Sequence, residues 1–173
     1  IIGVPGKSVP LAAIATRLAG AITVPLPGGV APGLEATGYH QVTQPAYASG
    51  VTVAEVEVDA ETGHVAVTGY WVVHDCGTLI NPMIVDGQVI GGAVHGIGNA
   101  LFERMVHDDN GQPLTTNYGD YLLPIASEIP RIVVAHRETP SPLHPLGLKG
   151  AAEGATLPAA APLVPPAETA LQP

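Results

Sequence analysis

The segment from Pro82 to about Val106 places the strongest constraint on the fold. Ile84, Val89, Ile90, Val94, Ile97, Leu101 and Phe102 recur at roughly helical spacing, which predicts a helix. Yet Gly87, Gly91, Gly92, Gly96 and Gly98 lie inside the same run. Each glycine in a helix interior costs roughly 1 kcal/mol relative to alanine, so the helix needs a compensating gain. Two gains are open: close approach of the backbone to a bound group, or tight packing against another backbone. The cluster is neither a P-loop nor a dinucleotide fingerprint. It lacks GK[ST], and the turn at Asn81-Pro82 separates it from the preceding strand.

On either side the periodicity changes. In residues 51–59, Val51, Val53, Glu55 and Glu57 fall on one side and Thr52, Ala54, Val56 and Val58 on the other, a strand with one acidic side. Ala60-Glu61-Thr62-Gly63 reads as a turn and residues 64–74 as a returning strand, so the two make a hairpin. Asp108-Asp109-Asn110-Gly111 is a further turn, and residues 131–136 read as one more strand. Near the N-terminus a short helix runs to Leu18, with Ser8 as its N-cap, Pro10 in its first turn and Gly20 as its stop. A hairpin and helices without βαβ regularity predict an α+β fold. The chain divides into residues 1–33, irregular with that short helix, and residues 34–173.

Composition narrows the function. With 15 Asp and Glu against 6 Lys and Arg, the chain has a formal charge of −9. That argues against nucleic acid, which needs a basic face, and against an anionic membrane surface. Cys76 is the single cysteine, so neither a disulfide framework nor a cysteine-rich metal site forms within the chain; the expectation is a buried, inert thiol. No pair of the seven histidines has HxxxH spacing, so no metal ligand is assigned. The apolar runs are interrupted by prolines or polar residues and do not span a bilayer, and no secretory leader is evident. A cytoplasmic location is the resulting expectation.

Three residues stand out for chemistry. Glu153 lies in a small-residue loop, Gly150 to Gly154, where a ligand can approach closely; alternatively it caps a helix in the Ala-rich segment that follows. Gln88 can donate to and accept from a planar ligand, or it is simply a solvated helix residue. His95, among small residues, reads as a core histidine.

Taken in order, the segments VEVDAETGHV, HDCGTLINP, GQVIGGAVHGIGNALFE, NYGDYLLPIASEIP and ETPSPLHPLGLKGAAEG resemble the C-terminal part of a known family. This is the molybdenum-binding large subunit of the xanthine oxidase and carbon monoxide dehydrogenase type. The resemblance runs from about Leu34 to about Leu171. It implies a portion of a larger molybdopterin-binding domain. Glu153 matches the glutamate of the family's KGxGE motif, the base beside the molybdenum. Gln88 matches the glutamine of GQxxGG, which contacts the cofactor. Lys149, Gly150 and Ala152 share the Glu153 loop and are implied to lie near the cofactor. The sequence departs from the family at Ala152, where Gly is usual, and at His95, where many members have Gln.

The activity so implied is hydroxylation of an electron-poor carbon, in an N-heterocycle or an aldehyde, with Glu153 as base. Carbon monoxide oxidation is a variant, and a non-catalytic structural piece of the assembly is the rival. The cofactor implied is molybdopterin cytosine dinucleotide or a related molybdenum cofactor. The resemblance also implies partners: the remaining part of the molybdenum subunit, an iron–sulfur subunit and a flavin subunit carrying FAD. The first molybdenum domain has no counterpart here, so the chain is expected to be one polypeptide of a split subunit or a fragment of a longer one.

Overall fold

A computed structural model describes residues 6, 8–19, 26, 28, 31–35, 37–39, 41 and 44–171. The chain forms two compact units, Ile1–Thr43 and Gln44–Pro173. In the first, α1 spans Leu11–Leu18. Its N-cap is Pro10 and no side chain caps it, so Ser8 does not play the expected role. The Pro10 carbonyl accepts from the N–H groups of Ala13 and Ile14. The expected stop, Gly20, lies outside the described residues.

The second unit is an α+β arrangement around a three-stranded sheet. Strands β1 (Ser49–Val58) and β2 (Val65–Asp75) form the expected antiparallel hairpin, with a register shift between Glu55 and Val56. Its turn is closed by the Gly63 N–H on the Asp59 carbonyl at 2.7 Å, with Gly63 at φ +73. The alternation falls as the sequence predicts: Val51, Val53, Glu55 and Glu57 are exposed, and Thr52, Ala54, Val56 and Val58 are half-buried. Trp71, Val73 and Val133 are also exposed.

Strand β3 (Ile132–His136) pairs with β2 in parallel, Tyr70 opposite Ile132 and His74 opposite His136. The helix α2 (Pro82–Leu101) lies between them in sequence, so one βαβ crossover sits inside this α+β fold. Sequence pattern alone missed it, because a five-residue strand carries no mark of which neighbour it will pair with.

Asn81 begins α2 as its N-cap: its Oδ1 accepts from the Ile84 N–H at 3.3 Å, with Pro82 in the first turn, where the missing N–H costs nothing. The helix buries Val89, Gly92, Ala93, Gly96 and Ile97 on one stripe. These pack with Tyr70, Val72, Ala155 and Leu163 in the core. Asp86 Oδ1 lies 2.5 Å from His136 Nε2 and ties the helix to β3. α2 ends at Leu101 rather than near Val106, because the chain beyond is drawn into other bonds. Val106 N–H donates to Thr115 Oγ1, and Val106 O accepts from Leu114 N–H. The short α3 spans Val164–Ala170. Among the described residues no helix is long and apolar enough to cross a membrane.

The end of β2 is a polar knot. Asp75, 6% exposed, accepts at Oδ1 from the N–H groups of Gly77 (2.9 Å) and Thr139 (3.2 Å). Its Oδ2 accepts from the Thr139 hydroxyl, and Lys149 Nζ lies 3.3 Å from Oδ1. Gly77, at φ +74, turns the chain so tightly that a side chain there would overlap the Gly147 carbonyl. Burial alone would raise the Asp75 carboxyl. The bonds from Thr139, Gly77 and Lys149 outweigh it and hold the group well below the usual carboxylate range.

Two predictions follow from packing and charge. A Cβ on Gly96 would overlap that of Ala159 and stand 2.8 Å from the Thr156 carbonyl, whereas one on Gly87 meets nothing within 4 Å. Gly96→Ala should therefore destabilise by about 1–3 kcal/mol. Gly87→Ala should be neutral or stabilising by up to about 1 kcal/mol. Denaturant melts showing the same sign for both would contradict this packing. For Asp75, a depressed folded pKa means its stabilisation is present above the unfolded value of about 3.9 and is lost as pH falls through the folded one. Asp75→Asn should cost about 1.5–3 kcal/mol at pH 7, with the gap from wild type closing below about pH 4. A gap that does not change with pH would show that the Asp75 charge is not what holds the knot.

Candidate functional site

The loop bearing Glu153 is fixed at both ends before the carboxylate is reached. Leu148 bridges to Gly77, and the Lys149 N–H donates to the Cys76 carbonyl at 2.8 Å. Lys149 Nζ donates to Thr139 Oγ1 at 2.6 Å and pairs with Asp75. Downstream, the Thr156 hydroxyl donates to the Gly92 carbonyl at 3.0 Å. Between these anchors the backbone runs through turns from Ala152 to Pro158.

Glu153 sits in those turns, and its carbonyl accepts from the N–H groups of Thr156 (3.1 Å) and Leu157 (3.4 Å). The nearest α-helix downstream, α3, starts only at Val164 and has Leu163 as its N-cap, so Glu153 does not cap an α-helix. The Glu153 side chain is exposed and makes no hydrogen bond or ion pair with the described residues. Cys76, beneath this loop, is buried as expected, and burial pushes its thiol up.

The helix glycines divide into two kinds. Gly92, Gly96 and Gly98 face the protein. A Cβ on Gly92 would stand 3.1 Å from Thr156 Oγ1 and 3.2 Å from the Ala152 carbonyl; one on Gly98 would stand 2.6 Å from Glu103 Oε1. Gly87 and Gly91 face open space, with nothing within 4 Å of either Cβ position. Both of the gains open at the sequence level are thus available, on different residues. Gly92 packs directly against Ala152, the residue before Glu153, and lies one helical turn from Gln88. The structure therefore brings the GQVIGG and LKGAAEG segments together.

Gln88 is exposed, its amide unbonded among the described residues, with Gly87 beside it and Gly91 following within the turn. An amide on so bare a stretch of helix can bond a polar, planar group approaching at backbone distance. Gly150 is exposed with open space around its Cβ position, and Ala152 is exposed. Lys149 is half-buried, its ammonium engaged by Asp75 and Thr139. His95 is exposed rather than in the core. No group of three or more His, Cys, Asp or Glu able to hold a metal ion occurs among the described residues.

One neighbour of the loop was not singled out from sequence. His74, on the inner face of β2, is fully buried, and neither ring nitrogen has a hydrogen-bond partner. A Cβ on Gly154 would overlap His74 Nε2 and stand 2.8 Å from its Cδ2. Burial, reinforced by His136, holds the imidazole below the usual histidine range against the opposing pull of Asp75. The only sequence signal was its place on the inward side of the alternation.

Comparison with known proteins gives the family. Residues 3–130 match the family model of the molybdopterin cofactor-binding domain. The chain is 42% identical over 127 residues to the carbon monoxide dehydrogenase large chain of Hydrogenophaga pseudoflava, covering 73% of this chain and 16% of that protein. It is 40% identical over 147 residues to the nicotine 6-hydroxylase large subunit of Paenarthrobacter nicotinovorans, covering 85% and 18%. Quinoline 2-oxidoreductase from Pseudomonas putida 86 superposes with a TM-score of 0.81 at 42% identity, over 98% of this chain and 22% of that one. The chain thus spans under a fifth of the length of these two curated relatives. It belongs to the molybdopterin cofactor-binding domain family, within the molybdenum hydroxylases.

Proposed function

We propose that this chain supplies the base and part of the cofactor cradle of a molybdenum-dependent oxidoreductase that hydroxylates an electron-poor carbon, in an N-heterocycle or an aldehyde, with water as the source of oxygen. The observation that carries this reading is the seating of Ala152 against Gly92, which sets the unbonded Glu153 and Gln88 side chains on adjoining segments. Gln88, flanked by bare glycines, fits the polar edge of a molybdopterin, the cytosine dinucleotide or a related form. When bound, that cofactor supplies a two-electron acceptor.

The remaining work belongs to the chain. Conversion of C–H and water to C–OH releases two electrons and two protons, and Glu153 takes a proton at a carboxylate oxygen as the water oxygen attacks carbon. Its side chain has no partner among the described residues to give up first. Gly150 and Ala152 leave room beside it, and Lys149 acts through Asp75 to hold the loop. The electrons leave to iron–sulfur and flavin subunits, and the remaining part of the molybdenum subunit completes the site. The naming of relatives as a large chain and a large subunit supports such an assembly. Activity then requires those partners, and the complex is cytoplasmic.

Carbon monoxide oxidation is a second reading, favoured by the identity to a carbon monoxide dehydrogenase large chain. Assay of the assembled complex with carbon monoxide beside N-heterocycles and aldehydes separates the two. Turnover of carbon monoxide alone would replace the hydroxylase reading.

Glu153→Gln keeps size and hydrogen-bonding capacity but removes the base. The reductive half-reaction of the molybdenum-replete complex should slow by roughly 10²–10⁴-fold, with molybdenum content and thermal midpoint little changed. A rate within about threefold of wild type, far below the effect of losing a general base, would remove Glu153 from the reaction. The cradle is tested separately by Gln88→Ala and Gly91→Ala. Loss of one amide bond should weaken cofactor retention by about 0.5–1.5 kcal/mol. An added methyl at Gly91 meets nothing among the described residues and should leave folding intact while it obstructs the cofactor. Wild-type molybdenum content in both variants would place the cofactor elsewhere.

A further inference from the structure

We propose that His74 is a positioning residue for Glu153, its buried imidazole forming the floor on which the Glu153-Gly154 backbone rests. The inference rests on the reading of Glu153 as the base. Three observations meet at this ring. It belongs to β2, where it is paired on both sides, to Gly50 of β1 and His136 of β3, so its backbone is locked by the sheet. Its side chain is fully buried and points into the core, where both nitrogens lie without partners among the described residues. The space above the ring is taken by Gly154, so tightly that any side chain there would collide with Nε2.

A buried polar ring without hydrogen bonds is a costly way to fill space. An aliphatic side chain would fill a core position more cheaply, which leaves packing alone a poor reason for His74. What the ring supplies is a flat, rigid surface against the one residue that follows Glu153. The polar anchors of the loop act further off. Lys149 and its Asp75 partner hold the loop four residues upstream of Glu153, and Thr156 holds it to Gly92 three residues downstream. His74 bears directly on Gly154, the residue after Glu153, as Gly92 bears on Ala152, the residue before it. The demand on that position is strict, since displacement of a catalytic group by about 1 Å can cost on the order of 10²-fold in rate.

The test uses the assembled, molybdenum-replete complex carrying His74→Ala, Glu153→Gln or both. It reads the limiting rate and apparent substrate affinity of the reductive half-reaction, molybdenum content, and amide hydrogen exchange of the peptide covering residues 150–157. His74→Ala should lower the limiting rate by about tenfold or more, with substrate affinity and molybdenum content near wild type. Exchange at Thr156 and Leu157, whose amides bond the Glu153 carbonyl, should rise. In the Glu153→Gln background the same change should cost almost nothing further, because residues acting as a unit are non-additive.

An additive loss in the double variant, or a His74→Ala complex with wild-type rate and exchange, overturns the proposal. Should His74→Ala fail to fold, Gly154→Ala presses a methyl onto the same ring from above and should give the same slow rate and faster exchange; wild-type behaviour there overturns the proposal equally. A wild-type rate in Glu153→Gln removes the base reading and this inference with it. A slow Glu153→Gln beside an unaffected His74→Ala removes this inference alone.

Discussion

The arrangement of the site depends on one carboxylate that does not belong to it. Asp75 ends β2 and is almost fully buried, which is unfavourable for a charge unless donors surround it. Here the donors come from three places: Gly77 just beyond the strand, Thr139 just beyond β3, and Lys149 at the start of the loop that carries Glu153. Each donor satisfies the charge only if its segment sits in place. The desolvation cost of one Asp therefore becomes a positional requirement on three segments far apart in sequence. A wrong placement of the loop would leave Asp75 or Lys149 unpaired, and a broken buried pair costs more than the intact pair contributes.

The helix α2 solves a second problem. A helix carrying five glycines should be poor by propensity, yet it forms the central helix of the core. Gly92 and Gly96 recover part of the cost by letting the chain around Ala152, Thr156 and Ala159 approach the helix backbone itself. The Thr156 hydroxyl can then reach a helix carbonyl at 3.0 Å. Gly87 and Gly91 have no such contact, since no atom of the described residues lies near their Cβ positions. They flank the amide of Gln88, so a ligand at the proposed site could approach the helix backbone there. The glycines thus divide into an internal contact that brings the loop to the helix and a bare stretch of backbone beside Gln88.

Periodicity made the local elements legible. The hairpin could be read because alternation in residues 51–59 reports burial directly, and α2 because its apolar residues keep helical spacing despite the glycines. Asn81-Pro82 was legible only as a turn, though Asn before Pro is equally an N-cap followed by the first helical residue, which is what forms. Ser8 had the right chemistry for a cap, but Pro10 took the position. Less legible were the long-range pairings. Asp75 and Thr139 are 64 residues apart, and nothing local to either residue marks the other. The parallel partner of β3 and the place of His74 beneath Gly154 are of the same kind. His95 shows the limit of reading a residue from its neighbours: the buried small residues beside it, Ala93 and Gly96, lie on another face of the helix, so they do not make it a core residue.

Two carboxylates, Asp75 and Glu153, stand in opposite surroundings. Hydrogen bonds donated to a carboxylate stabilise its charged form and make it a weaker base. Asp75 collects such bonds, is held well below the usual range, and serves as a fixed anion around which the loop is built. Glu153 collects none from the described residues. Its position is set through its backbone instead: its carbonyl takes the Thr156 and Leu157 amides, Ala152 before it lies on Gly92, and Gly154 after it lies on His74. A base needs a defined place and an unoccupied lone pair at once. Fixing the side chain by hydrogen bonds would secure the first at the expense of the second. Fixing the main chain on both sides secures the place and leaves the carboxylate without donors among the described residues, as the proposed role of Glu153 as base requires.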